Sequence, residues 1–222
     1  MKVYEFNGFP NPARVRIALG EKEILDQVEF VSINLPEGEH RKPAYLKLNP
    51  SGTVPALELD DGTIISECSA ITGYLDASYG APVLTGISPK QRAIIHMMQR
   101  RAEAMLLDAA GDYFHQATPG LGPDLEGQQC VEWGEKQRRQ AIKGMHYFDN
   151  VLANQAYVAG ESFTVVDITV FAGLMFAGFG KIDVPTECTN LLEWHQRVLN
   201  RPSIAKSIAK SIAKSIANNI AN

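Results

Sequence analysis

Asp61-Gly62, inside the stretch PSGTVPALELDDGTIISECSAI (50–71), constrains this fold more tightly than any other pair in the chain. Asp-Gly tolerates the positive φ angles that a two-residue hairpin turn needs. Here it separates two short runs, Val54–Leu59 and Thr63–Ser66, which are therefore expected to pair as antiparallel strands. Val54-Pro55 heads the first run, where a residue lacking an N–H costs little of the ladder. Glu67-Cys68-Ser69 follows the second. Acidic and small polar residues suit a helix start, where unpaired N–H groups and the helix dipole favour negative charge. The compact hairpin brings strand head and helix start together, and a ligand could sit where they meet.

The segments before the hairpin extend the pattern. KVYEF (2–6) reads as a strand, and Asn11-Pro12 as an N-cap with proline at the first helical position. Helical spacing then runs to about Lys22, and VEFVSINL (28–35) reads as a second strand. A helix between two strands predicts a parallel pair with a right-handed crossover. His40 to Pro50 is an irregular or helical link, and a helix is expected from Cys68 to about Tyr79. The order is thus βαβ, link, ββα.

The composition changes at YGAPVLTGISP (79–89), which is rich in Gly and Pro and reads as a linker. Beyond it no segment has the character of a strand. Ile94, Met98, Ala102, Met105, Leu106 and Ala109 recur at helical spacing and predict one long helix. ATPGLGPDLEG (117–127) interrupts the pattern, and 128–153 resumes it. Thr164-x-x-Asp167 reads as a capping box before an almost wholly apolar, hence central, helix, and capping explains Asp167 more simply than catalysis does. A last helix around Leu191–Leu199 carries Trp194. The expected division is a mixed α/β domain over 1–80, a linker over 81–89, an all-helical domain over 90–202 and a repetitive tail over 203–222. That tail, SIAKSIAKSIAKSIANNIAN, suits a frayed helical extension better than a membrane-binding segment, since it carries three lysines and no aromatic residue.

Charge and cysteine usage narrow the function classes. A net charge of −4 gives no electrostatic case for nucleic acid. The N-terminal MKVYEFNGFPNP has no secretory pattern, and no apolar run approaches the roughly 20 residues that cross a bilayer. Cys68, Cys130 and Cys188 include no CxxC, and the five histidines form no close pair, so neither a metal site nor a redox dithiol is expected. Reduced thiols in a cytoplasmic protein fit best.

NPARVRIALGEK, GEHRKPAYLKLNPSGTVPAL, ISECSAITGYLD and FTVVDITVFAGL, in this order, resemble the cytosolic glutathione transferase superfamily over about the first 200 residues. The resemblance is nearest to bacterial and fungal members that carry Glu-Cys-x-Ala-Ile and a YFHxATPGLGP stretch. It implies a thioredoxin-like N-terminal domain followed by an all-helical one, with glutathione as co-substrate. It also implies a cis Val54-Pro55 bond that turns the Val54 N–H and C=O toward the cysteinyl unit of glutathione, like an added strand. The amides of Cys68 and Ser69 would take the γ-glutamyl carboxylate and Glu67 its ammonium. His40 and Arg41, with Lys42 competing, would face the glycyl carboxylate, and Thr53 would add a polar contact. Cys68 stands where the common pattern has serine, so a weaker donor replaces a hydroxyl.

The chain departs from the pattern at FNGFPNPAR (6–14), which has no Tyr, Ser or Cys where such enzymes usually keep the group that activates the thiol. Tyr4 is expected to pack in the core. Asn11 with the amides of its helix, Asn7, and His115 or its neighbour Tyr113 remain as activators; for Asn11 a plain capping role is an equal reading. The resemblance implies transfer of the thiolate to small hydrophobic electrophiles in a pocket between the domains, lined from FNGFP and around Met105–Tyr113, and a homodimer. A glutathione-dependent peroxidase or reductase and a non-catalytic glutathione-binding scaffold are the alternatives.

Overall fold

The computed structural model describes residues 1–81 and 83–207; the greater part of the repetitive tail, 208–222, lies outside the described residues. The chain divides into two compact units. The first is Met1–Gly80 together with the described residues from Leu199 on, and the second is Ala81–Val198.

In the first unit β1 (Lys2–Glu5), α1 (Pro10–Glu21) and β2 (Glu29–Ser32) form the expected parallel crossover. β3 (Ala56–Glu58) and β4 (Ile64–Ser66) form the antiparallel hairpin around Asp61-Gly62, and β3 also pairs antiparallel with β1. The sheet order is β2-β1-β3-β4. α2 (Pro43–Leu48) lies in the link, and α3 (Cys68–Ser78) follows the hairpin and packs on α1. This is a thioredoxin-like arrangement.

Alternation along β1 builds two cores. Val3 and Glu5 are buried on the α1 face, where Arg16 of α1 pairs with Glu5 and stacks on Phe30 of β2, 3.7 Å from the ring centroid. A buried ion pair of this kind is held by its fixed bidentate geometry. Tyr4 and Phe6 face the other way and pack, with Phe9, Leu48 and Val54, against Ile33, Leu35 and Tyr45.

Two details differ from the sequence reading. α1 begins at Pro10 with Phe9 in the capping position, so Asn11 is a helical residue and not the N-cap. Pro10 supplies the preset φ of a first helical residue and removes the need for a side-chain cap. Residues 202–207 continue as helix and pack on the first unit: Arg201 bridges Glu21 at 2.8 Å, and Ser203 donates to the same carboxylate beside Gly20. Ile204 is fully buried there, which anchors the first of the SIAK tetrads.

The second unit is all-helical among the described residues apart from one isolated bridge. The expected long helix is α4 (Pro89–Ala102), a π-helical turn Glu103–Leu107 and α5 (Asp108–Ala117). Apolar spacing over one turn cannot separate a π from an α repeat, so the widened turn was not legible. A one-turn helix α6 (Pro123–Glu126) lies in the Gly/Pro break, followed by α7 (Val131–Leu152), α8 (Val165–Phe179) and α9 (Thr189–Leu199). α8 is buried along most of its length and starts with the expected capping box of Thr164 and Asp167. Among the described residues no helix is long and apolar enough to cross a membrane, and no group of His, Cys, Asp and Glu is placed to hold a metal ion.

Candidate functional site

The hairpin, the link and the β1–α1 junction converge at one end of the first unit. Register explains why. Tyr4 pairs with Ala56, and Ala56 pairs with Ser66, so the end of β1, the head of β3 and the start of α3 are neighbours. The thiol of Cys68 then donates to the main-chain carbonyl of Asn11 at 3.4 Å, fastening the start of α3 to the start of α1.

The Val54–Pro55 peptide bond is cis, and the segment before it is held firmly. The Thr53 carbonyl accepts from the Tyr45 hydroxyl at 2.6 Å and from the buried Asn49 amide at 2.8 Å. Gly52 has φ +59, and a Cβ there would press on Leu46 and on the His40 carbonyl. Val54 is only partly buried, and neither its N–H nor its C=O meets a backbone partner among the described residues. An extended peptide laid along this segment would satisfy both groups.

At α3 no side chain caps the helix start, and Glu67 occupies the capping position with φ 68. The Ile71 amide bonds back to the Glu67 carbonyl, so the amides of Ser69 and Ala70 are left to an anion. The side chain of Cys68 is turned to Asn11. Glu67 is exposed, and its carboxylate forms no hydrogen bond or ion pair among the described residues. Positive φ in a residue with a long side chain is strained and is held only where the surroundings impose it.

Arg41 and Lys42 are exposed, whereas His40 is only 4% exposed. Burial and then the neighbouring Arg41 charge push the His40 pKa down, so His40 is held neutral. The Arg41 guanidinium lies over Gly52, two residues before Val54, and supplies the fixed charge near that end of the segment.

Tyr4 is unavailable as a thiol activator. Its hydroxyl donates to Glu58, and this bond, followed by burial, pushes its pKa up to about 12. The Asn11 side-chain oxygen accepts from Arg14 at 3.3 Å.

His115, near the end of α5 in the second unit, has a partner that the sequence did not announce. Its Nδ1 lies 2.8 and 3.0 Å from the two Glu126 carboxylate oxygens and donates to them, and in the neutral ring this leaves the acceptor lone pair on Nε2. The Glu126 carboxylate, 9% exposed, also accepts from the Leu121 amide at 2.6 Å. Gly120 has φ +53, and a Cβ there would collide with the Glu126 carboxylate, so a side chain at this turn is disfavoured by both backbone and contact. Glu126 lies in what reads as a loop break, eleven residues from His115, so no periodic signal links them. Replacing Glu126 by Ala should orphan the Leu121 amide and cost about 1–3 kcal/mol by urea unfolding. Nitrogen-15 spectra should show the Nδ1–H tautomer of His115 in the parent and a mixture in the variant; a parent protonated on Nε2 would contradict the pairing.

Comparison with known proteins follows the same lines. Residues 10–78 match the family described as glutathione S-transferase, N-terminal domain, and residues 128–211 match glutathione S-transferase, C-terminal domain. The chain is 57% identical over 206 residues to glutathione S-transferase 2 of Saccharomyces cerevisiae, covering 93% of this chain and 88% of that protein. The crystal structure of Gtt2 from Saccharomyces cerevisiae superposes with a TM-score of 0.92 at 56% identity, covering 93% of this chain and all of that one. A glutathione S-transferase domain-containing protein of Marinobacter aquaeolei gives 0.90 at 55% identity, covering 92% of this chain and all of its own. A thioredoxin-like domain followed by an all-helical unit is the plan these proteins share. The chain belongs to the glutathione S-transferase family of enzymes.

Proposed function

We propose that this protein joins the thiolate of glutathione to small hydrophobic electrophiles. The observation that carries the reading is the set of unspent polar groups at one end of the first unit. They are the Val54 main chain, the Ser69 and Ala70 amides, the Glu67 carboxylate and the Arg41 guanidinium. They match glutathione in order and in charge. Val54 pairs with the cysteinyl unit like an added strand. The amides of α3 take the γ-glutamyl carboxylate, and Glu67 takes its ammonium. Arg41 faces the glycyl carboxylate, with His40 as a neutral neighbour and Thr53 and Pro55 shaping the segment between. Likeness to the yeast and Marinobacter proteins supports placing the chain beside the fungal and bacterial members with Glu-Cys-x-Ala-Ile.

Thiolate chemistry requires a proton to leave a thiol whose ordinary pKa is about 8.5. The hydroxyl or thiol usual at the β1–α1 junction is absent, and Asn11 with the α1 amides, and His115 held by Glu126, are the groups carried forward as activators. The same absence, with Tyr4 bound to Glu58, favours as second reading a scaffold that binds glutathione without turnover. Steady-state kinetics with glutathione and a nitro-activated aryl halide separate the two. Saturable product formation that falls in Asn11→Ala or His115→Ala supports the transferase; binding with no product supports the scaffold.

We further read the enzyme as a homodimer in which α4 faces its copy. Ile94 and Met97 stand exposed one turn apart on α4, and Val83 and Ile87 are exposed just before it. Apolar side chains clustered in this way mark an interaction surface. Met97→Asp should shift the sedimenting species from dimer to monomer; a parent protein that sediments as a monomer overturns the reading.

A further inference from the structure

Asn7 is the one polar side chain at the β1–α1 junction whose hydrogen-bonding capacity the protein leaves unused. Its Oδ1 is buried with no partner, and no group among the described residues bonds to its amide nitrogen. Three neighbouring groups are engaged. Tyr4 donates to Glu58, the Asn11 side chain accepts from Arg14, and the Asn11 carbonyl accepts from Cys68. A buried carbonyl without a donor is unfavourable, and native proteins keep few of them, so each calls for an explanation.

Position supplies the explanation. Tyr4 pairs with Ala56 in an antiparallel ladder, and continuing that register sets residue 6 opposite residue 54. Phe6, Phe9 and Val54 also pack on the same Ile33–Leu35–Tyr45 cluster. Asn7, in the turn closed by the Phe9 amide on the Phe6 carbonyl, therefore lies at the strand end beside Val54. This is where the proposed function seats the cysteinyl unit of glutathione.

We propose that Asn7 is a catalytic residue that contacts the glutathione sulfur in place of the missing hydroxyl; the assignment rests on the glutathione site argued above. A primary amide serves both states of the sulfur. Oδ1 accepts from the S–H of the thiol, and Nδ2–H donates to the thiolate after the S–H bond breaks and its proton passes to water. The bond to the anion is charge-assisted and the stronger of the two, so the amide favours ionisation. No electron transfer is involved, and the sulfur lone pair is left for the electrophile.

Titration of the bound thiol by its thiolate ultraviolet absorbance tests this in the parent, Asn7→Ala, Asn7→Ser and Asn7→Asp. S-methylglutathione, which has no thiol proton, reports binding alone. Asn7→Ala should raise the bound-thiol pKa by about one unit and lower kcat/KM below that pKa about tenfold, with S-methylglutathione affinity changed less than about twofold. Asn7→Ser, a hydroxyl donor, should recover most of the shift. Asn7→Asp, of the same shape but without a donor, should raise the pKa further. A merely structural role predicts altered melting with an unmoved pKa, and an unmoved pKa in Asn7→Ala with binding intact overturns the assignment alone. Failure of the parent to bind S-methylglutathione overturns the site itself and Asn7 with it.

Discussion

Asp167→Ala is expected to destabilise the protein by about 3–5 kcal/mol, measured by urea unfolding, a size reserved for broken buried networks. Asp167 is fully buried. Its Oδ1 accepts from the Val158 amide at 2.9 Å and from the Trp194 indole N–H at 3.0 Å. Its Oδ2 accepts from the Thr164 amide at 2.9 Å and from the Thr164 hydroxyl at 3.1 Å. Alanine would leave four donors unpaired in the centre of the second unit. Thr164→Ala removes only the reciprocal cap and should cost about 1 kcal/mol.

The same residue sets a pH dependence. Burial pushes the Asp167 pKa up to about 6, against the opposing pull of its hydrogen bonds. A carboxyl whose folded pKa lies above its unfolded value contributes stability that is fully present at low pH. That contribution fades as pH rises from about 4 through about 6. The parent should therefore lose part of its stability across this window, and Asp167→Asn should flatten that share. An equal slope in both proteins would contradict the assignment.

Glu67→Ala is expected to weaken glutathione binding about 10–100-fold, read by calorimetry, with turnover falling alongside at subsaturating glutathione. The expectation joins two observations. Glu67 holds φ 68 at the start of α3, and its carboxylate is exposed with no partner among the described residues. Strain kept at a residue whose carboxylate has no internal partner points to a ligand. Glu67→Gly should then fold no less stably than the parent, because glycine accepts this backbone without penalty, while losing glutathione to the same extent as alanine. Unchanged affinity in both variants would remove Glu67 from the site.

Local chemistry explains what the sequence made legible. The Asp61-Gly62 hairpin, the parallel crossover and the Thr164–Asp167 box each depend on residues within a few positions of one another, and each is present, although the hairpin closes on the three residues Asp60–Gly62 with positive φ at Gly62 and not at Asp61. The start of α1 was misplaced because two proline positions compete there, and Pro10 rather than Pro12 opens the helix. Non-local pairings had no signal. The Cys68 thiol meets the Asn11 carbonyl 57 residues away, and Ser203 docks on Glu21 across 182. Glu126 looks like loop composition until the turn at Gly120 folds its carboxylate onto His115. The sequence could suggest several activators at FNGFPNPAR; only the hydrogen bonds separate Asn11, whose side-chain oxygen is bonded, from Asn7, whose side-chain oxygen is not.

The first unit is expected to bind glutathione and to hold its sulfur as the anion. Titration of the parent protein saturated with glutathione, by thiolate absorbance against pH, should give a bound-thiol pKa at least about one unit below the free value of about 8.5. A bound pKa equal to the free one would contradict activation, and no saturable absorbance at any pH would contradict the site.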